Sequence, residues 1–378
     1  MRLRHFGALI AAGVLVLAAC GDDDGGSTAD TTATADTTAT ADTTATADTT
    51  AAAGGEGCTV GVSWNNYQEE RWAKWDEPAI KAAIEAAGGT YVSSDAKSSA
   101  ETQASNLEQL ITDGAKVLIV LAQDGVAIKP AVAAAIEQGV PVVAYDRLIE
   151  DPKAFYLTFD NKGVGKIEAE EIFKRVPKGN YVIVKGSKTD ANADFLREGY
   201  EEVIGDAVKS GDIKIVSETY TDNWDPAKAQ ATMEQVLTAE GNKVDAVLAE
   251  NDGMAGGVIA ALDAQGLAGK VPVSGQDAEQ AALNRVALGT QSLTVWKDAR
   301  ELGKAAGEAA MALCSNPDAS AVSGAAPFTT PGGVEISSTF LTPQPITQDN
   351  LNLVLDAGWT DSETLCQGVT AGSVAACP

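Results

Sequence analysis

KVLIVLAQDGVAIKPAVAAAIEQGVPVVAYDR, residues 116–147, holds a complete strand–helix–strand unit. Val117–Ala122 is an uninterrupted apolar run, as expected of a strand covered by helices on both faces. A helix over 128–139 and a second short apolar run, Val142–Tyr145, follow it, and the unit ends in Asp146-Arg147. Upstream, Cys58–Trp64 reads as a strand. Trp72–Ala87 reads as a helix, with Ile80, Ala83, Ile84 and Ala87 on one stripe and Gly88-Gly89 as its stop. Tyr91–Ser94 is the next strand, and Ala104, Leu107, Leu110 and Ile111 stripe the helix after it. The order to this point is βαβαβαβ.

The alternation resumes after Phe155–Asp160. Strands are predicted near Tyr181–Lys185, Ile213–Glu218, Ala246–Ala249 and Val271–Ser274, with helices near 162–176, 193–210, 226–239, 254–265 and 278–288. So long an α/β pattern exceeds one core and predicts two doubly wound, Rossmann-like domains. Late strands at Leu293–Trp296 and Glu335–Leu341 fit neither domain cleanly and read as crossovers between them. The expected lobes are residues 57–160 plus 293–335 and residues 161–292 plus 336–378, joined by a three-crossover hinge near Asp160–Lys162, Gln291–Lys297 and Leu341–Pro345.

The N-terminus is of another kind. Arg2 and Arg4 precede a short apolar run over 7–19, too brief to span about 30 Å of hydrocarbon. Leu17-Ala18-Ala19-Cys20 resembles a bacterial lipobox, so residues 1–19 are expected to be a cleaved signal peptide and Cys20 a lipidated anchor on the outer face of the cytoplasmic membrane. Residues 20–56 carry Asp22-Asp23-Asp24 and a Thr-Ala-Asp-Thr-Thr-Ala type repeat. With almost no large apolar side chain, they read as a disordered, self-repelling tether.

Composition removes several function classes. The chain has one histidine, His5, which cleavage would discard, so histidine-based triads and histidine-ligated metals are excluded from the mature protein. A net charge of −26 argues against nucleic acid as a partner. No Gly-x-x-x-x-Gly-Lys-Ser/Thr loop occurs, and Gly163-Val164-Gly165-Lys166 reads as a helix start. Neither cofactor nor metal is called for. With Cys20 lipidated, Cys58, Cys314, Cys366 and Cys377 remain, an even set expected to form two disulfides that pin the ends of the folded part in one of three pairings.

Ligands of open parallel sheets sit beyond the carboxyl ends of the strands. There the sequence places Asn65, Asn66, Gln68, Arg71 and Trp72; Asp146 and Arg147; Asp190 and Asn192; Trp224; Asn251 and Asp252; Gln276 and Asp277; and Lys297. No nucleophile stands beside a base. Flat indoles with Asp, Asn and Arg suit a sugar, whose ring faces are weakly polar and whose hydroxyls both donate and accept. A glycosidase using Asp146 and Asp277 is the catalytic alternative, but Arg71, Arg147 and Lys297 would keep both acids ionised.

These residues carry a specific resemblance. Glu70-Arg71-Trp72, Glu101-Thr102-Gln103, Ala144-Tyr145-Asp146-Arg147, Phe159-Asp160-Asn161, the run from Ala239 to Val247, Asn251-Asp252 with Ala255-Gly256-Gly257, the run from Ser274 to Ala278, and Gly289-Thr290-Gln291 occur in order. From about Cys58 to Asn316 the chain resembles the type I periplasmic sugar-binding proteins of ABC importers, and among them the xylose binders. The resemblance implies a monomeric binding protein, not an enzyme. It would close two lobes over a monosaccharide and deliver it to permease subunits, or serve sugar sensing through the same cleft. It assigns ligand contacts to Arg71, Trp72, Asp146, Arg147, Asn192, Trp224, Asn251, Asp277 and Lys297, with Trp72 and Trp224 stacking on the pyranose. Gln123-Asp124 at the cleft edge and Lys188 depart from the family pattern, as does the tail after Asn316.

Overall fold

The computed structural model describes residues 57–378; the expected signal peptide, Cys20 and tether lie outside the described residues. The chain runs β1 (Thr59–Trp64), α1 (Glu77–Ala86), β2 (Thr90–Asp95), α2 (Ala100–Thr112), β3 (Val117–Val120), α3 (Lys129–Glu137), β4 (Val142–Tyr145) and β5 (Phe155–Phe159). It crosses to α4 (Asn161–Arg175), β6 (Gly179–Lys185), α5 (Ala191–Ser210), β7 (Ile213–Tyr220), α6 (Pro226–Ala239), β8 (Ala246–Ala249), α7 (Asp252–Asp263), α8 (Gln280–Leu288) and β9 (Thr294–Trp296). It returns through α9 (Ala299–Ser315), β10 (Ala326–Thr329) and β11 (Glu335–Leu341), and ends with β12 (Gln344–Ile346), α10 (Asn352–Asp356) and α11 (Ser362–Leu365).

The first sheet has the order β10-β11-β5-β4-β3-β1-β2, parallel except for β10. Its strands alternate between two cores. Val117, Ile119 and Leu121 face α1 and α9, while Leu118, Val120 and Ala122 face the opposite core with residues of α2 and α3. This two-sided burial is what the unbroken apolar runs encode. The second sheet has the order β7-β6-β8, and β9 pairs with β12 beside it.

Two expectations about the lobes are corrected. β11 pairs in parallel with β5, so residues 336–341 belong to the first sheet and not to the second lobe. Conversely, β9 pairs with β12, and Val295 bridges Gln276, so 293–296 belongs to the second lobe. Short apolar strands announce themselves in sequence, but their partners are distant and unannounced. The expected strand Val271–Ser274 reduces to a single bridge at Val273, next to Pro272, which has no N–H to give a ladder.

α9 reaches the first lobe through close packing. A Cβ at Gly303 or Gly307 would run into Ala79 or Ala83 of α1, so these glycines let the two helices touch. Asp160 and Asp298, at two of the crossovers, cap the helices that follow, accepting from Gly163 N at 2.9 Å and Arg300 N at 3.1 Å. Gly165 meets the backbone of Leu196 in α5, so the Gly163–Lys166 segment is a helix start with a packing role. Disulfides join Cys58 to Cys314 and Cys366 to Cys377, tying the start of β1 to the end of α9 and closing the C-terminal tail on itself.

Candidate ligand-binding cleft

The chain leaves β1 through a loop into a five-residue π-turn, Trp72–Asp76. Such turns re-aim side chains that a regular helix would disperse. Here Asp76 comes behind Arg71, accepting from Nε at 3.0 Å and Nη2 at 2.7 Å. The Tyr145 hydroxyl also donates to Asp76. Burial pushes the Asp76 carboxyl up to about 6 against the pull of Arg71 and Tyr145. The fork is thereby locked and Arg71 Nη1 is left to face the cleft, 3.2 Å from Asp146 Oδ2 and 3.4 Å from Asp277 Oδ1.

β4 ends at Tyr145, and Asp146 turns out of the strand at φ +60°. Arg147 is held by the Ala122 carbonyl at 3.2 Å and Glu69 Oε1 at 3.3 Å, and its Nε lies 3.0 Å from Asp190 Oδ2 of the second lobe. Glu69 also accepts from the Trp72 indole at 2.7 Å, while the Arg71 guanidinium sits 4.4 Å from the Trp72 ring centre. The Trp72 ring is therefore oriented by a polar bond at its edge and a cation at its face.

In the second lobe, Asn192 lies in the first turn of α5 and donates to the Asp146 carbonyl at 3.1 Å while accepting from Asn161 at 2.9 Å. Trp224 follows Asn223, both at positive φ (+55° and +58°), and its indole lies on Gly186, where a Cβ would come within 2.1 Å of the ring. Asn251 caps α7, accepting from Met254 N at 2.9 Å. Asp277 stands at φ +95° with Lys297 Nζ 2.9 Å away. Burial pushes the Asp277 carboxyl up, but Lys297 and then Arg71 outweigh it and hold it below the usual carboxylate range. An acid kept ionised in this way cannot serve as a protonated general acid.

The nine residues assigned as ligand contacts line one cleft, whose atom-free space of about 290 Å³ is partly open to solvent. Glu69, Asp190 and Gln276 line it as well. Asp190 and Gln276 were visible at strand ends but had no assigned part, and Glu69 was overlooked because its neighbours Arg71 and Trp72 carried the recognisable pattern. Trp224 Nε1 and Gln276 Oε1 are buried with no hydrogen-bond partner in the protein. The rim is bridged between lobes: Gln68 and Gln123 donate to the carbonyl and side-chain oxygens of Asn223 at 3.0 and 2.8 Å, and Gly125 N donates to the Thr189 carbonyl at 3.1 Å.

Beneath the second-lobe wall lie buried acids. Burial drives Glu168 and Glu250 far above the usual carboxylate range and Asp252 up to about 7. Each has a structural bond. Glu168 accepts from the Tyr200 hydroxyl, Glu250 from Gly186 N at 2.7 Å, and Asp252 from Thr294 Oγ1 and Gln291 Nε2 at 2.6 Å each. Glu250 and Asp252 thereby brace the strand ends that carry Gly186, Asn251 and Asp277. No cluster suited to a metal ion occurs among the described residues.

Residues 60–318 match the family described as "Periplasmic binding protein domain". The chain is 39% identical to the D-xylose-binding periplasmic protein of Escherichia coli over 294 residues, 77% of this chain and 87% of that protein. It is also 39% identical to the D-xylose-binding periplasmic protein of Haemophilus influenzae over 258 residues, 68% of this chain and 77% of that one. A Clostridium phytofermentans ABC transporter solute-binding protein, solved with β-D-glucose, superposes with a TM-score of 0.73 at 28% identity, covering 81% of this chain and 99% of that one. Two α/β lobes enclosing a polar, tryptophan-walled cleft, and a family match over most of the described chain, agree: this protein belongs to the type I periplasmic sugar-binding proteins and is similar to their D-xylose-binding members.

Proposed function

We propose that this chain is the solute-binding lipoprotein of an ABC sugar importer, anchored outside the cytoplasmic membrane through Cys20 and loaded with a monosaccharide, D-xylose first among them. The observation that carries the reading is the convergence of Arg71, Trp72, Asp146, Arg147, Asn192, Trp224, Asn251, Asp277 and Lys297 on one cleft between the lobes. A pyranose between Trp72 and Trp224 would present its hydroxyls to three cations and to carboxylates that can only accept. Charge-assisted hydrogen bonds of this kind are about twice as strong as neutral ones. Contacts from both lobes would favour the closed form, and that form would be what the permease subunits read.

A role without chemistry follows from the same geometry. Arg71 Nη1 lies 3.4 Å from Asp277, which Lys297 and Arg71 hold ionised, so this acid is not set up to protonate a leaving group. The hydrophobic N-terminal run and Leu17-Ala18-Ala19-Cys20 support export and lipidation, and among the described residues no helix is long and apolar enough to cross a membrane. Isothermal titration of residues 57–378 with D-xylose, D-glucose, L-arabinose, D-ribose and D-galactose tests the reading. One-to-one binding led by xylose is expected; a folded sample that binds none of the five refutes it.

A further inference from the structure

Asp277 and Ala278 are consecutive non-glycine residues in left-handed backbone, at φ +95° and +51°. Such a pair is strained and persists only where its surroundings hold it. The turn aims the Asp277 carboxylate at Lys297 and Arg71. Three bonds fix it. Asp277 N donates to the Val295 carbonyl at 2.9 Å, Ala278 N donates to Thr294 Oγ1 at 3.0 Å, and the Ala278 carbonyl accepts from the indole of Trp359 at 2.7 Å. The first two come from β9 next door; the third comes from the C-terminal tail, 81 residues away.

Trp359 is itself held from both lobes. Its ring is 2% exposed, meets Trp296 edge-on at 5.7 Å, and stacks on Trp75 of the first lobe at 4.6 Å and 20°. The Arg300 guanidinium lies 5.3 Å from Trp359 and 5.6 Å from Trp75, and donates to the Ala357 carbonyl at 2.8 Å. Gln280 ties the same corner twice, its side chain donating to the Trp359 carbonyl at 3.0 Å and its N–H to Glu70 of the first lobe at 3.2 Å. Beyond Trp359 the tail is closed by Cys366–Cys377 and seated by Asn284 on the carbonyls of Leu365 and Gln367.

We propose that Trp359 is a positioning residue for the ligand site: the C-terminal tail holds the strained Asp277-Ala278 turn through the indole N–H and senses closure of the first lobe through the Trp75 stack. The proposal rests on the cleft being the sugar site, and two measurements keep the two claims apart. In sugar titrations, Trp359→Phe keeps the stack and loses the N–H. It is expected to weaken binding at least fivefold with a melting temperature within a few degrees of the parent. That loss should shrink to less than twofold when Asp277 is already Asn, because the indole acts through that carboxylate.

Additive losses, or parental affinity in a folded Trp359→Phe protein, overturn the positioning role. Trp75→Phe, which leaves the indole N–H of Trp359 in place, should retain the coupling to Asp277. Hydrogen exchange of a peptide covering residues 275–280, read without sugar, gives the independent arm. Exchange at Asp277 and Ala278 at least tenfold faster in Trp359→Phe supports the inference. Unchanged exchange refutes it, and does so even if the parent binds none of the sugars, an outcome that would by itself refute only the sugar reading.

Discussion

Replacing Asp277 by Asn alters one charge and almost no volume, which makes it the sharpest probe of the cleft. The carboxylate faces Lys297 at 2.9 Å and Arg71 at 3.4 Å, and all three residues are nearly fully buried. Arg71 keeps Asp76 and Asp146 after the change, whereas among the described residues the ion pair to Asp277 is the one found for Lys297. Stranding one partner of a buried pair costs about 3–5 kcal/mol. Water entering an open cleft relieves part of that, so the unliganded protein should lose less. The closed, liganded form cannot be relieved in this way. It loses in addition a hydrogen bond to a charged group, worth about 1.5–3 kcal/mol. At about 1.4 kcal/mol per factor of ten, the sugar dissociation constant should rise roughly ten- to hundredfold. The assay is titration calorimetry alongside thermal melts. Because the folded-state value of Asp277 lies below the ordinary carboxylate range, its contribution to parental affinity should be level from pH 8 down through pH 5 and fall only at lower pH. An Asn variant binding within threefold of the parent would refute the assigned role.

Two further outcomes follow from the second-lobe wall. Trp224→Ala should weaken sugar binding at least tenfold, and Gly186→Ala should imitate it by pushing the indole off its seat; parental affinity in either, measured by calorimetry on folded protein, would remove Trp224 from the site. Glu250, raised far above its unfolded value by burial, contributes stability that is complete below the unfolded pKa and is lost as pH rises toward the folded value. Glu250→Gln, which keeps an acceptor for Gly186 N, should therefore gain melting temperature relative to the parent as pH goes from 5 to 8, and a pH-independent difference would show that the acid is not protonated in the native state.

What the sequence disclosed follows burial. β3, β4 and β8 are four-residue apolar runs buried along their whole length, and each was legible because a strand covered on both faces admits no polar residue. β10, mostly exposed at the edge of its sheet, was not foreseen, since no periodic burial marks it. The assignment of β9 and β11 to lobes failed for another reason: pairing partners far along the chain leave no local trace. The nine cleft residues were legible because strand ends concentrate ligand groups and because their motifs resemble a known family. The π-turn that swings Asp76 behind Arg71, the counter-ion Glu69, the pairing of Asp190 with Arg147, and the grip of Trp359 on Ala278 were not, because each depends on backbone geometry or on contacts between distant segments.

On the proposed reading, closure itself has an energetic logic in the unpaired atoms of the cleft. With the lobes together, Trp224 Nε1 and Gln276 Oε1 are buried and find no hydrogen-bond partner in the protein. A buried polar atom left unsatisfied costs about 1–3 kcal/mol, so the two oppose closure by roughly 2–6 kcal/mol. The ion pairs that span the cleft, Arg71 to Asp277 and Arg147 to Asp190, do little to offset this, because desolvating both partners consumes most of their mutual attraction. A sugar whose hydroxyls donate to Gln276 and accept from Trp224 removes the penalty only in the closed form. Shifting a two-state equilibrium from 1:99 to 99:1 takes about 5.5 kcal/mol of differential binding, which lies near the top of the range those two atoms supply. The cleft is therefore built so that the ligand's own hydroxyls complete it, which makes the closed lobes a report of occupancy.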